Sequence, residues 1–336
     1  MNPNKHNPVL LIAGVVISLF FLVLALRGTN PEQIGHALSG ANLFFAPLLI
    51  ICLFVSFWIR VNRWRLLLQP AHVVSATTLF PALMIGRISN FILPFNMGEF
   101  VRATVASRNT NIPLTSLLST IFLERIFDLF VVLALAFYSL WASANLSPEF
   151  SDAIISLAIV FVFFVAILFA YIKWTATFHR VIETVTSFLP SGIQRRLILQ
   201  AEFGAAGLQA LTNPDLLTRV AALSILQWFF VWLCVYFSLR GVGIDDAASA
   251  ALITLTLMIF VTTIVPSAPG FIGNIQIAYS LALTPFDVSA STAFAASIYY
   301  HLLMYLSVLI GGLIALRKSG YTIESLRTGA NQSDAD

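Results

Sequence analysis

The sequence predicts an all-α polytopic membrane protein, and three observations carry that reading. The 336-residue chain is 59% hydrophobic and only 10% charged, where a soluble domain carries about 25% charged residues. Its apolar residues run continuously and do not alternate, which argues for helices and against barrel strands. Two apolar regions are interrupted by proline and glycine, one around Pro94 and one from Thr262 to Gln276. Broken backbone in a bilayer is tolerated only where protein or a water-filled cavity satisfies it. The expected plan is about six full transmembrane helices plus two oppositely oriented re-entrant hairpins, inverted-repeat-like, or about eight spans if the hairpins cross. Residues 1–328 form one transmembrane domain in this reading, and 329–336 a disordered cytoplasmic tail.

The elements follow in order. Pro8 to Leu26 is long enough to span, and too long for a signal peptide. A second span runs from about Leu43 to Trp58 and ends in W-I-R-V-N-R-W-R. Aromatics with arginines mark a membrane–water boundary, so Arg60, Asn62 and Arg63 read as interfacial and cytoplasmic. The segment 77–108 reads as the first hairpin, its legs meeting at Pro94 and Gly98. Leu114 to Trp141 spans outward and Ala153 to Ile172 returns. Residues 173–219 hold several basic residues and form a cytoplasmic segment, with a loose apolar stripe from Ile193 to Leu211. Val220 to Leu239 spans outward, 247–283 forms the second hairpin, and Ser289 to Leu316 spans inward. Of the 18 Lys and Arg, only Arg27, Arg87, Arg125 and Arg240 then lie off the cytoplasmic side, and both termini are cytoplasmic.

Charged residues inside apolar segments are costly and mark functional sites. Arg87 and Asn90 lie on the first leg of the first hairpin, and Glu99 and Arg102 share a face of the second leg at i,i+3. Glu124 and Asp128 share a face at i,i+4, with Arg125 beside them. Arg87, Arg102 and Arg125 are matched in number by Glu99, Glu124 and Asp128. One reading is therefore a neutral ion-pair network that holds the broken helix. The other is that an anionic group exchanges into the network, since the guanidinium fork suits phosphate. Pro266, Pro269, Gly270, Gly273, Asn274 and Gln276 form an almost uncharged opposite wall and gate. Helices restarting at Gly98 and Gly270 direct their positive ends inward. His301 and Tyr305, one turn apart, read as a satisfied core contact, and Cys52 and Cys234 as small core residues. The histidines have no metal-ligand spacing, and no P-loop, G-x-S-x-G or H-E-x-x-H occurs. The basic residues orient the chain and do not point to nucleic acid.

Taken together, these segments resemble the flippase-like transmembrane domain of lysylphosphatidylglycerol synthases and their stand-alone relatives. The resemblance rests on Arg60, Asn62 and Arg63; on Pro94, Gly98, Glu99 and Arg102; on Glu124, Arg125 and Asp128; and on Pro266, Pro269, Gly270 and Gly273. The family's late motif carries a second glycine and a terminal acid where this chain has Phe271 and Gln276. A role needing a carboxylate there is lost, while a hydrogen-bonding role survives. The resemblance implies translocation of an anionic phospholipid or a polyprenyl-phosphate-linked lipid across the inner membrane. It implies membrane lipids as partners, a lipid-modifying enzyme as a further one, and no cofactor. No oligomeric state follows from the sequence. No aminoacyl-transfer domain follows Leu316, so lysyl transfer is not expected. Two rival functions stay open: a transferase or hydrolase acting on a lipid phosphate, with Glu99 or Asp128 as acid or base, and a scaffold for lipid-modifying enzymes.

Overall fold

The computed structural model describes residues 8–93, 97–142, 213–264 and 269–319, with isolated helical positions between 155 and 166. Most of the expected span over 153–172, the expected cytoplasmic segment up to residue 212 and the C-terminal tail lie outside the described residues, as do Pro94 and Pro266. Ten α-helices follow in order: α1 (Pro8–Leu26), α2 (Pro31–Ser39), α3 (Phe45–Leu68), α4 (Ala76–Ser89), α5 (Gly98–Thr110), α6 (Leu114–Ala142), α7 (Pro214–Gly241), α8 (Ala247–Ile264), α9 (Asn274–Leu283) and α10 (Ala290–Ser319). Among the described residues, Phe45–Leu68, Pro214–Gly241 and Ala290–Arg317 are long and apolar enough to cross a membrane.

Local chemistry explains most of the helix ends. Asn30 accepts from the Glu32 amide, and Pro31 opens α2, which packs on α10. Sequence reasoning missed this short helix because its apolar stripe is small. The Ser75 hydroxyl accepts from the Thr78 amide and starts α4. Asn213 caps α7 in the same way through the Leu216 amide. Asn111, in the left-handed region at φ 56°, stops α5.

Helix α3 does not end near Trp58 as the boundary reading requires. It continues without a break to Leu68, because its second half is held by tertiary partners. It lies antiparallel to α7: Phe45 stacks on Phe237, Cys234 reaches the Leu49 carbonyl, and Arg63 meets Ser224 at the other end. Cys52 and Cys234 are buried free thiols in this seam.

Each interrupted region forms a pair of helices packed side by side, α4 with α5 and α8 with α9. Helix α4 has 14 residues and α5 has 13, about 20 Å each at ~1.5 Å per residue, short of a ~30 Å hydrocarbon core. The first pair closes at two glycines. A methyl group on Gly86 would lie 2.6 Å from the Gly98 carbonyl oxygen and 2.7 Å from the Arg102 Cβ. Close approach of small residues is how apolar helices associate without a hydrophobic driving force.

The second break differs from expectation. Its helix restarts at Asn274, four residues after Gly270. Between them Gly270, Phe271 and Gly273 all take positive φ (77°, 63° and 88°), which an α-helix cannot contain. Pro269–Phe271 instead makes one 3₁₀ turn. Phe271, which replaces a glycine of the family pattern, thus sits in a conformation that L-residues adopt only at a cost of ~1–2 kcal/mol.

Helix α10 supports both pairs. Its Gly311 faces Met84 and its Gly312 faces Ile88, both on α4. Further along, its Tyr305 hydroxyl fills the space where a side chain on Gly270 would stand. Helix α1 backs α9, with the Ser18 carbonyl against Gly273.

Gly86→Val should therefore wedge α4 from α5 and destabilise the protein by ~1–3 kcal/mol, as overpacking does. Gly35→Val, on α2 with open space around it, is the control. Thermal unfolding in detergent should show a lower midpoint for the first only; equal shifts would contradict this packing.

Candidate functional site

The site is assembled from short-range helix geometry. On α5, Glu99 and Arg102 share a face at i,i+3; on α6, Glu124 and Asp128 share one at i,i+4; on α3, Arg60, Arg63 and Trp64 do the same. Because α3, α5 and α6 converge, three faces meet in one cluster. Arg102 donates to Glu124 at 2.6 Å, and Arg63 donates to Asp128 at 2.7 Å while approaching Glu124 at 3.7 Å. Glu99 is the common acceptor. Its Oε1 takes Arg60 at 3.1 Å and also Arg125, and its Oε2 takes Arg102 at 3.3 Å.

Neutral groups complete this shell. Ser224 accepts a second bond from Arg63 at 2.9 Å, and the Trp228 indole donates to Asp128 at 3.1 Å. Arg102 lies 3.7 Å over the Trp64 ring, whose own N–H donates to Thr120 at 3.0 Å. Desolvated guanidinium groups gain from such stacking as well as from ion pairs.

Arg60 and Arg63, expected at the membrane–water boundary, have carboxylate partners that the sequence did not reveal. They are 5% and 0% exposed and lie inside the ion-pair cluster. Buried charge must be paired, and among the described residues the carboxylates within their reach are on α5 and α6. Asn62 points away and bonds the Trp58 carbonyl on its own helix.

The expected charge balance changes with them. Four arginines (Arg60, Arg63, Arg102 and Arg125) face three carboxylates (Glu99, Glu124 and Asp128), an excess of one positive charge. Arg87 adds another. It packs 5.1 Å from the Phe57 ring, one turn of α3 before Arg60, and makes no salt bridge among the described residues. The buried Nε atoms of Arg60, Arg87 and Arg102 have no hydrogen-bond partner there either. Arg125 is the outward end of the cluster, its side chain 47% exposed. Phe122, one turn before it on α6, is also exposed, so the charge opens beside an apolar side chain.

The two breaks meet at a separate point. Asn90 accepts the Gly98 amide on its side chain at 2.7 Å and the Gly270 amide on its backbone carbonyl at 2.8 Å. The Gly270 carbonyl in turn accepts from Tyr305 Oη at 2.9 Å and His301 Nε2 at 2.8 Å. That bond places the His301 proton on Nε2 and leaves Nδ1 to accept from Gln276 at 3.0 Å. Gln276 Oε1 accepts from the Gly273 amide at 2.8 Å. Phe91 and Tyr305 close the junction with ring centroids 4.1 Å apart.

Asn274 and Gln276 are therefore not part of the arginine cluster. Both are buried and turn toward their own hairpin and α10, where neutral partners hold Gln276; Asn274 reaches the Val261 carbonyl, and its Oδ1 has no partner among the described residues. Ser224, Trp228, Trp64 and Thr120 escaped the sequence reading. The i,i+4 spacing of Ser224 and Trp228 within an apolar span was the available signal.

Cutting one member of the buried Arg102–Glu124 pair should cost ~3–5 kcal/mol, because the other is left charged and unpaired. Arg102→Met and Glu124→Met should each lower the unfolding midpoint strongly, and the double variant by clearly less than their sum. Additive losses would show that the two side chains are energetically independent.

The chain matches the family described as "Lysylphosphatidylglycerol synthase TM region" over residues 11–312. It is 25% identical over 236 residues to a UPF0104 membrane protein of Methanocaldococcus jannaschii, covering 67% of this chain and 91% of that protein. It is 27% identical over 137 residues to the glycosyltransferase AglD of Haloferax volcanii, covering 40% of this chain and 22% of that protein. No solved structure matches. The chain is a multi-pass helical membrane protein and belongs to the lysylphosphatidylglycerol synthase transmembrane-region family.

Proposed function

We propose that this protein moves an anionic phosphate-bearing lipid across the cytoplasmic membrane. The α4–α5 and α8–α9 pairs act as re-entrant hairpins from opposite sides, as in an inverted pair. The lipid headgroup occupies a polar groove lined by Arg60, Arg63, Arg87, Glu99, Arg102, Glu124, Arg125 and Asp128, while its acyl or prenyl tails stay in the bilayer. The junction of Asn90 with Gly270 is the gate. Pro94, Gly98, Pro266, Pro269 and Gly273 set the positions of the breaks on either side of it.

One observation carries this reading: a buried cluster with excess positive charge that opens at Arg125 beside an exposed apolar side chain. A structural network gains nothing from unbalanced buried charge, since each unpaired ion costs several kcal/mol of desolvation. An anion that joins the cluster recovers this cost. Guanidinium groups bind phosphate oxygens through two parallel bonds, which suits Arg over Lys here. The membrane family and the match to a membrane protein along nearly its whole length support a lipid-facing role.

The test is reconstitution in liposomes holding fluorescent phosphatidylglycerol, phosphatidic acid or phosphatidylcholine. An anionic lipid should cross faster than in protein-free vesicles, with no chemically altered product. Arg125→Ala should slow it at least ~10-fold, the loss of roughly one charge-assisted bond. Arg65→Ala, exposed on the same helix as Arg63, should leave the rate unchanged. Protein-free rates for every lipid would end the transport reading, and a modified lipid would replace it with a transferase or hydrolase.

A further inference from the structure

Three carboxylates hold the arginine cluster, and they are not equivalent. Glu124 is fully buried, with Arg63 and Arg102 on its two oxygens. Asp128 is 7% exposed and is held by Arg63, Arg125 and the Trp228 indole. Glu99 is 22% exposed, the most accessible of the three. It draws three arginines from three helices: Arg60 of α3, Arg102 of α5 and Arg125 of α6. It also stands in the first turn of α5, beside the break that precedes Gly98. Among the described residues no neutral side-chain donor holds it, in contrast to Asp128.

We infer that Glu99 is an internal stand-in for the ligand's phosphate, occupying the arginine donors in the resting protein and yielding them when a lipid headgroup arrives. A carboxylate and a phosphate present similar paired oxygens to a guanidinium fork. Three convergent arginines are more than one carboxylate charge requires, and they match a group with three oxygens. Displacement at Glu99 leaves the Glu124 and Asp128 pairs intact, so the cluster keeps its shape while exchanging one anion for another. Glu99 needs only to rotate outward, toward the exposed side already marked by Arg125. The Arg87 Nε, without a partner among the described residues, supplies a further donor. This inference rests on the proposed anion site. Within that reading it assigns Glu99 as a competitor of the substrate, not a contact to it.

The prediction is that neutralising Glu99 tightens anion binding. Soluble short-chain dihexanoyl phosphatidic acid is the probe, with dihexanoyl phosphatidylcholine as the zwitterionic control. Trp64 and Trp228 border the cluster, so indole fluorescence of detergent-purified protein reports binding. Glu99→Gln should bind phosphatidic acid at least ~10-fold more tightly than the unsubstituted protein, corresponding to ~1.4 kcal/mol, with no gain for phosphatidylcholine. Its unfolding midpoint should fall in chloride and recover in inorganic phosphate at matched ionic strength. Should Glu99→Gln not accumulate, Glu99→Asp serves instead. Its shorter side chain loosens the three-arginine contact and should also tighten binding. Equal or weaker binding by the variant, while the unsubstituted protein binds, would overturn the stand-in role and leave the anion site in place. Absence of binding to both proteins would overturn both.

Discussion

Buried guanidinium charge is the constraint on which this structure depends. Arg60, Arg63 and Arg102 are each 5% exposed or less, and a desolvated cation must find an anion or be excluded from the interior. Among the described residues the acids that meet them lie on α5 and α6, so α3, α5 and α6 converge. Convergence brings the broken α4–α5 pair against the long helices and fixes where the first break stands. The second break is then positioned against it by α10, through Tyr305 and His301 on the Gly270 carbonyl. Electrostatics on one side and backbone hydrogen bonding on the other thus divide the labour. The first sets the ligand chemistry, and the second ties the two interruptions into one junction.

That division gives the protein a stiff part and a soft part. The arginine cluster is stiff because each carboxylate serves two or three cations, so moving one helix disturbs several pairs at once. The junction is softer. Among the described residues one backbone bond crosses between the breaks, from the Gly270 amide to the Asn90 carbonyl at 2.8 Å, and its neighbours include three residues at positive φ. Breaking one neutral hydrogen bond costs ~1 kcal/mol, a barrier that thermal motion crosses readily. A transporter built this way would keep its headgroup site assembled while the junction opens and closes. His301 and Gln276 matter here as neutral fasteners, joined to each other and to the Gly270 carbonyl and Gly273 amide by hydrogen bonds.

How far the sequence revealed this depended on the range of each interaction. Glu99 with Arg102, and Glu124 with Asp128, were legible because both partners lie on one helix at fixed spacing. The break at Gly98 was legible because a proline and a glycine interrupt an apolar run. The carboxylate partners of Arg60 and Arg63 stayed hidden for a physical reason: an arginine-rich helix end looks the same whether it meets water or carboxylates from other helices. Only tertiary placement separates the two. Asn274 and Gln276 were assigned to the headgroup wall because they are polar in an apolar region, yet local neutral partners already satisfy Gln276 and bind Asn274. The restart at Asn274 was misplaced because Phe271 hides a left-handed position that a glycine would have advertised.

The central claim is that the arginine cluster is an anion site and not merely a scaffold. The most direct measurement is an electron cryomicroscopy map of the protein in nanodiscs rich in phosphatidic acid. The account predicts a lipid phosphate within hydrogen-bonding distance of Arg60 and Arg125, its tails lying along the face of Phe122 and Phe130. Lipid phosphates found only at the two membrane surfaces, with the cluster closed on its own carboxylates, would contradict it.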